Sequence, residues 1–161
     1  MKKLTLVMAA VLTFAVLSFA QESYTMYKVA YLKPDYAKLE ELGKAVAKHN
    51  KEYHNEAPNA GHVWIVQTGP NTGKWLYVMG PTTFSDMDNV EFGKGHREHW
   101  TGEVMPNVTE ISEGSYWRMS DKLTYEGTTG FTGKEVLTFF KIRNFEEYRF
   151  KAMVEKVKKV Y

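Results

Sequence analysis

Apolar and polar positions change their period along this chain, and the changes mark its elements. Tyr24 to Leu32 is rich in aromatic and branched residues and closes at Lys33-Pro34, as a strand does. Asp35 can cap a helix running from Tyr36 to about Tyr53, in which Leu39, Leu42 and Val46 recur at helical spacing. A turn at Ala57-Pro58-Asn59-Ala60-Gly61 leads to a second strand, His62 to Thr68. The loop Gly69-Pro70-Asn71-Thr72-Gly73 then makes a hairpin with a third strand, Lys74 to Met79. Ser85-Asp86-Met87-Asp88 can cap a short helix, Gly93-Lys94-Gly95 interrupts it, and a further helical piece runs from His96 to about Val108, with Pro106 uneasily inside it. Ser115 to Thr124 is a fourth strand. The order β-α-β-β-α-β predicts an α+β fold of the ferredoxin-like plan, an antiparallel sheet with both helices on one face.

Beyond this unit, taken as residues 21–126, comes a glycine- and threonine-rich linker over 127–134 containing Gly127, Gly130 and Gly133. Residues 135–161 then read as the start of a second unit, with a strand from Val136 to Arg143 and a helix from Phe145 to Tyr161. Tyr27-Lys28-Val29 leading to Tyr36 parallels Phe140-Lys141-Ile142 leading to Phe145. Val154, Val157, Val160 and Tyr161 keep that helix apolar to the last residue, without a capping glycine. The expectation is a fragment of a longer tandem protein, or a tail that docks onto another copy.

Alternation along the strands sorts their side chains. Val63 and Ile65 point one way in the second strand, and His62, Trp64 and Val66 the other; Leu76 and Val78 oppose Trp75, Tyr77 and Met79 in the third. Both faces are apolar. The expectation is that the aliphatic set packs on the helices and the aromatic set lines the free face. Soluble monomers rarely expose an apolar patch of that size, so a second repeat or a second copy should cover it.

The N-terminus changes the charge picture. Lys2 and Lys3 precede the uncharged run Leu4 to Phe19, and Ser18-Phe19-Ala20 offers small residues before Gln21, the pattern of a cleaved export signal over residues 1–20. The run is shorter than the ~20 residues of a spanning helix. Export, periplasmic or secreted, and no membrane contact after cleavage are expected. Of 21 Lys+Arg and 19 Asp+Glu, the signal takes two lysines and no acid, which leaves 19 of each. A balanced domain without a basic stripe gives no reason to expect nucleic acid. With no cysteine, burial alone must hold the fold.

The order of elements, the aromatic free face, the repeat and the Trp100 to Pro106 helix before the last strand resemble the dimeric α+β barrel superfamily. The tandem arrangement is most similar to NIPSNAP-like proteins, with antibiotic-biosynthesis-monooxygenase-like domains as cousins. The resemblance implies a small-molecule pocket between sheet and helices, often for an aromatic or otherwise apolar compound. It extends to cofactor-free monooxygenases, haem-degrading enzymes, dehydratases and proteins without assigned chemistry.

The cavity candidates are His62, Trp64, Trp75, Tyr77, Tyr116 and Arg118. A histidine among aromatic side chains could act as acid, base or haem ligand, or simply be a hydrogen-bonded core histidine. Arg118 could clamp an anion bidentately, or close a surface pair at the rim. His96 and His99 share a helix face and come nearest to a metal pair, but the His-Glu-x-x-His order is missing and no metal site is expected. His49 and His54 suit the negative end of the first helix. No nucleophile elbow, phosphate loop or dinucleotide fingerprint occurs, and no cofactor is expected. The leading reading is an exported module that binds a small apolar or aromatic molecule or serves assembly. The alternative is a cofactor-independent monooxygenase or haem-handling enzyme working through His62.

Overall fold

The computed structural model describes residues 24–124 and 133–160. The expected export signal and most of the expected linker therefore lie outside the described residues. Strand β1 spans Met26–Pro34 and is followed by a 3-10 turn, Tyr36–Lys38, that Asp35 caps by accepting a hydrogen bond from Ala37 N at 3.0 Å. Helix α1 is Leu39–Tyr53, β2 is Gly61–Ile65, β3 is Trp75–Thr82 and α2 is Phe84–Asn89. Helix α3, His96–His99, continues as a π-helical turn over Trp100–Val104 and a 3-10 turn over Met105–Asn107. Strands β4, Val108–Ile111, and β5, Ser115–Arg118, come next, and α4 is Glu147–Lys158.

The molecule is α+β, with an antiparallel five-stranded sheet whose neighbours run β2-β3-β1-β4 while β5 also pairs β1. β4 and β5 share one edge of β1: Leu32 faces Ile111 and Val29 faces Ser115. Ser112 bridges the break, its N–H donating to Tyr31 O and its Oγ accepting from Tyr31 N, both at 2.9 Å. A side-chain oxygen thus takes the place of a ladder carbonyl.

Several boundaries differ from expectation: β2 ends at Ile65 instead of Thr68, β3 runs on to Thr82 and β5 ends at Arg118 instead of Thr124, and three further differences have a local reason. The cap of α2 is Thr83, ahead of Ser85, in a reciprocal capping box: Asp86 N donates to Thr83 Oγ1 at 3.1 Å and Thr83 N to Asp86 Oδ2 at 2.8 Å. The helix after Gly95 widens and then tightens as it nears Pro106, which has no N–H for the regular ladder, and Val108 to Ile111 becomes strand. The strand expected over Val136 to Arg143 does not form. A strand needs a ladder partner, and this stretch pairs with none among the described residues. Only the helix of that segment is present, tied to the rest by Lys122 Nζ to Glu155 Oε1 at 2.7 Å and by the Trp117 and Phe139 rings.

The facing of β3 is the largest correction. Trp75, Tyr77 and Met79 lie under α1 with Leu32, Leu42, Ala45, Val46 and Val104, whereas Leu76 and Val78 join Val29 on the opposite face beneath Tyr27, Tyr31, Trp64, Val66 and Trp117. Alternation defines two sets but not which set meets the helices. Here α1 presents small residues, Gly43 and Ala45, and leaves depth for the large rings. It also offers Asn50, whose Oδ1 accepts from Tyr77 Oη at 2.7 Å, so the phenol has a partner only on this side. Gly61 completes this contact. Asn50 Nδ2 donates to its carbonyl at 3.0 Å, and a Cβ there would stand 2.9 Å from Asn50 and from the Tyr77 hydroxyl.

Candidate functional site

On α1 the buried positions Leu42, Ala45, Val46 and His49 follow one another at helical spacing, so a histidine takes the last core-facing place on the stripe. His54 closes the helix with its N–H donating to Asn50 O at 2.9 Å, and its Nδ1 lies 2.9 Å from the carbonyl of Asn59 in the turn that follows. His96 and His99 stand one turn apart on α3. Gly95 starts that helix at φ +94°, in the left-handed region that glycine enters without strain, and points α3 back at the end of α1.

Four of the chain's five histidines therefore meet between the two helices. His49 Nδ1 is 3.2 Å from His99 Nδ1, and His54 Nε2 is 3.0 Å from His96 Nε2. The His96 ring stacks on Phe92 at 4.1 Å and 10°. His49 is 1 % exposed, His54 5 % and His99 9 %. The Nε2 atoms of His49 and His99 are buried without a hydrogen-bond partner. His99 Nε2 does face Glu103 Oε2 at 3.7 Å, and Glu103 is also held by Lys48 Nζ at 3.2 Å.

Geometry fixes part of the protonation pattern. The Asn59 carbonyl can only accept, so His54 carries its proton on Nδ1 and turns a bare Nε2 toward His96. Burial disfavours the charged rings. It lowers the pKa of His49 to about 4, helped by the positive charge His54, His96 and His99 would carry. Burial also lowers His54, against the pull of the Asn59 carbonyl, and His96, against Glu98. His49, the deepest of these rings, is therefore neutral at pH 7 and able to coordinate or hydrogen-bond.

The cluster forms one wall of a cavity of about 250 Å3 between sheet and helices. Ala30, Leu32, Tyr77 and Met79 supply its floor, Phe92, Trp100 and Ile111 its apolar sides, and Lys28, His49, His54 and His96 its polar groups. His49, His54 and His96 each offer a nitrogen within 4.8 Å of the others, a set that could hold a metal ion.

The candidates read from the sequence are divided by this arrangement. Tyr77 lines the cavity, and Trp75 packs beside it in the same core without reaching it. Trp64 lies on the other sheet face, where alternation also sets His62, its ring 5.9 Å away. Tyr116 pairs with Lys28 in register and so shares the cavity's face, but sits outside it, half exposed against Phe84. Arg118 lies over the Tyr24 ring at 5.4 Å. Of the helix pair, His96 lines the cavity and His99 stands behind it against His49. Lys28, His49 and His54 were not among the sequence candidates for the cavity. His49 had a signal in its spacing from Leu42 and Val46; His54 and Lys28 had none. The chain matches no protein-family model, no curated protein and no solved structure.

Proposed function

We propose that this protein is an exported binding module for a small apolar or aromatic molecule, with the histidine-lined cavity as its site. The cavity itself carries the reading. A space of about 250 Å3, apolar on most sides with a few convergent polar groups, lies just below the roughly 300–1,000 Å3 of pockets for drug-sized ligands and suits a smaller, one- or two-ring molecule, and Lys28 adds a cation for an acidic substituent. The enzymatic alternative, a cofactor-independent monooxygenase or haem-handling enzyme, would have to work through His49, His54 or His96, because His62 does not line the cavity. No reacting pair at a defined spacing favours it over binding.

The ferredoxin-like, dimeric α+β barrel reading is part of the same proposal. The observed run β-α-β-β-α-α-β-β from Met26 to Arg118 has one helix and one strand more than the simple ferredoxin-like order, but its antiparallel neighbours, with β4 and β5 on one edge of β1, are compatible with that plan. In such a barrel a second copy covers the face of Tyr27, Tyr31, Trp64 and Trp117, which are only half buried in a single copy. Export rests on Lys2, Lys3 and the uncharged run to Ala20; among the described residues no helix is long and apolar enough to cross a membrane. Protein recovered from expressing cells with its N-terminus unprocessed would contradict the address.

Calorimetric titration with benzoate and with indole tests the site. Both probes should bind, benzoate more tightly through Lys28, and Ala30→Phe should weaken both at least about tenfold by filling the cavity, with the fold retained by circular dichroism. Binding of neither, or equal binding to the filled variant, would refute the reading.

A further inference from the structure

Three of the cavity histidines each bring one ring nitrogen within 4.8 Å of the others. The tautomer of His54 is set by the Asn59 carbonyl at 2.9 Å, which leaves Nε2 with a free lone pair. His49 reaches the same state by another route. Its Nδ1 lies 3.2 Å from His99 Nδ1, and His99 presents its other nitrogen to the Glu103 carboxylate at 3.7 Å. That carboxylate is too far for a hydrogen bond but favours the tautomer with the proton on His99 Nε2, and in that tautomer His99 Nδ1 accepts from His49 Nδ1. His49 Nε2 is left bare, buried and without a hydrogen-bond partner, in a residue 1 % exposed. An orphaned acceptor at that depth is costly unless something fills it.

His96 supplies the third nitrogen, 3.0 Å from His54 Nε2. Two bare lone pairs at that distance repel, so the pair needs either a proton or a cation between them. Tetrahedral zinc with Zn–N of about 2.05 Å places its ligand nitrogens about 3.3 Å apart, close to the 3.0 Å between His54 and His96. Nitrogens from His49, His54 and His96 all fall within 4.8 Å of one another. The outer shell is also of the kind that metal-binding histidines use, a backbone carbonyl behind one ring and a histidine-carboxylate chain behind another.

We propose that His49, His54 and His96 form a site for a divalent first-row transition metal, zinc above all, with its fourth position open to the cavity. Three imidazoles and no thiolate or carboxylate in the first shell suit zinc, copper or nickel rather than magnesium or calcium. Three protein ligands with one position left open is the arrangement of zinc sites that take a further ligand. The proposal deepens the cavity reading and rests on it for the open position alone: an anionic oxygen of the bound molecule would complete the coordination, while Lys28 faces the same space.

The test uses untagged protein stripped with a chelator and titrated with cobalt(II), whose visible bands report geometry, followed by displacement with zinc. One equivalent should bind with the intense bands of a tetrahedral site, and zinc should abolish them. His49→Gln, His54→Gln and His96→Gln should each weaken cobalt at least about a hundredfold. His99→Ala should weaken it by roughly ten- to a hundredfold, as loss of an outer-shell partner does, and His62→Ala not at all. Should a variant fail to fold, the wild-type chain decides: zinc at a hundredfold excess over its Kd should raise Tm by roughly 10 °C. No tetrahedral spectrum together with no zinc-dependent rise in Tm, or a spectrum that survives all three glutamine variants, overturns the metal site. Benzoate binding to the stripped protein keeps the two readings apart. If benzoate binds but cobalt does not, the cavity stands without a metal; if cobalt binds and benzoate does not, the metal stands without that ligand.

Discussion

The two faces of the sheet start from similar material and end differently. Alternate residues of one strand, β3, feed both: Trp75, Tyr77 and Met79 on one side, Leu76 and Val78 on the other. Beneath α1 the face includes a fully buried core at Leu32, Leu42 and Val104, and beside that core a largely apolar cavity with one wall of histidines. The opposite face buries Val29, Leu76 and Val78 under a layer of half-exposed rings. The contrast comes from the covering elements. α1 ends at Tyr53 and α3 is short, so Ala30 and the Tyr77 ring meet histidines instead of a continuous apolar helix. Apolar composition alone does not say what a sheet face is for. What lies over it decides.

Substitutions in the two faces test that contrast most strongly. Leu32→Ala should cost about 3 kcal/mol in denaturant unfolding, the loss of a fully buried side chain with a residual void. Trp64→Ala should cost about half as much in a dilute monomer, and in a sheet-to-sheet dimer should also shift the mass measured by light scattering. Equal losses with no change of mass would erase the distinction between core face and interface face.

Acidification separates the faces next. His49 has a folded pKa of about 4, below the ordinary value of 6.5, so the unfolded chain takes up protons first. Its contribution is intact above pH 6.5 and is lost as pH falls from there through 4. Between pH 7 and pH 5 this removes about 2 kcal/mol from His49 alone, and the lowered values of His54 and His96 act in the same direction. His49→Gln should flatten that slope in urea unfolding followed against pH, and an unchanged slope would show that His49 is not buried neutral. The smallest effect is expected at the polar edge of the core, where Tyr77→Phe loses the bond to Asn50 and should cost about 1 kcal/mol of stability.

Much of the fold was legible in the sequence because its periods are clean. The run from Met26, the stripe Leu42-Val46 and the hairpin around Gly69 to Gly73 gave the first half of the molecule in order. Legibility failed where a choice depended on a distant partner. Which way β3 turns is decided by Gly43, Ala45 and Asn50 on another element. Val108 to Ile111 is a strand because β1 has a free edge there. Val136 to Arg143 has a strand's composition but pairs with no strand among the described residues. The cavity was half visible. His96 stood out by its spacing from His99, and His49 continues the stripe of α1, but His54 is placed by the irregular turn to Asn59. His62 drew attention by its aromatic neighbours, and those neighbours belong to the other face.

The account depends on four imidazoles packed together against the cavity, with one of them deep and uncharged. Long-range nitrogen-proton NMR of the histidine rings observes this directly, since each ring reports its tautomer and its titration. The expected result is a His54 ring protonated on Nδ1 and a His49 ring that stays neutral until pH falls to about 4. A His49 ring that titrates near 6.5, as a solvated imidazole does, with both tautomers of His54 populated, would mean that the cluster is not assembled.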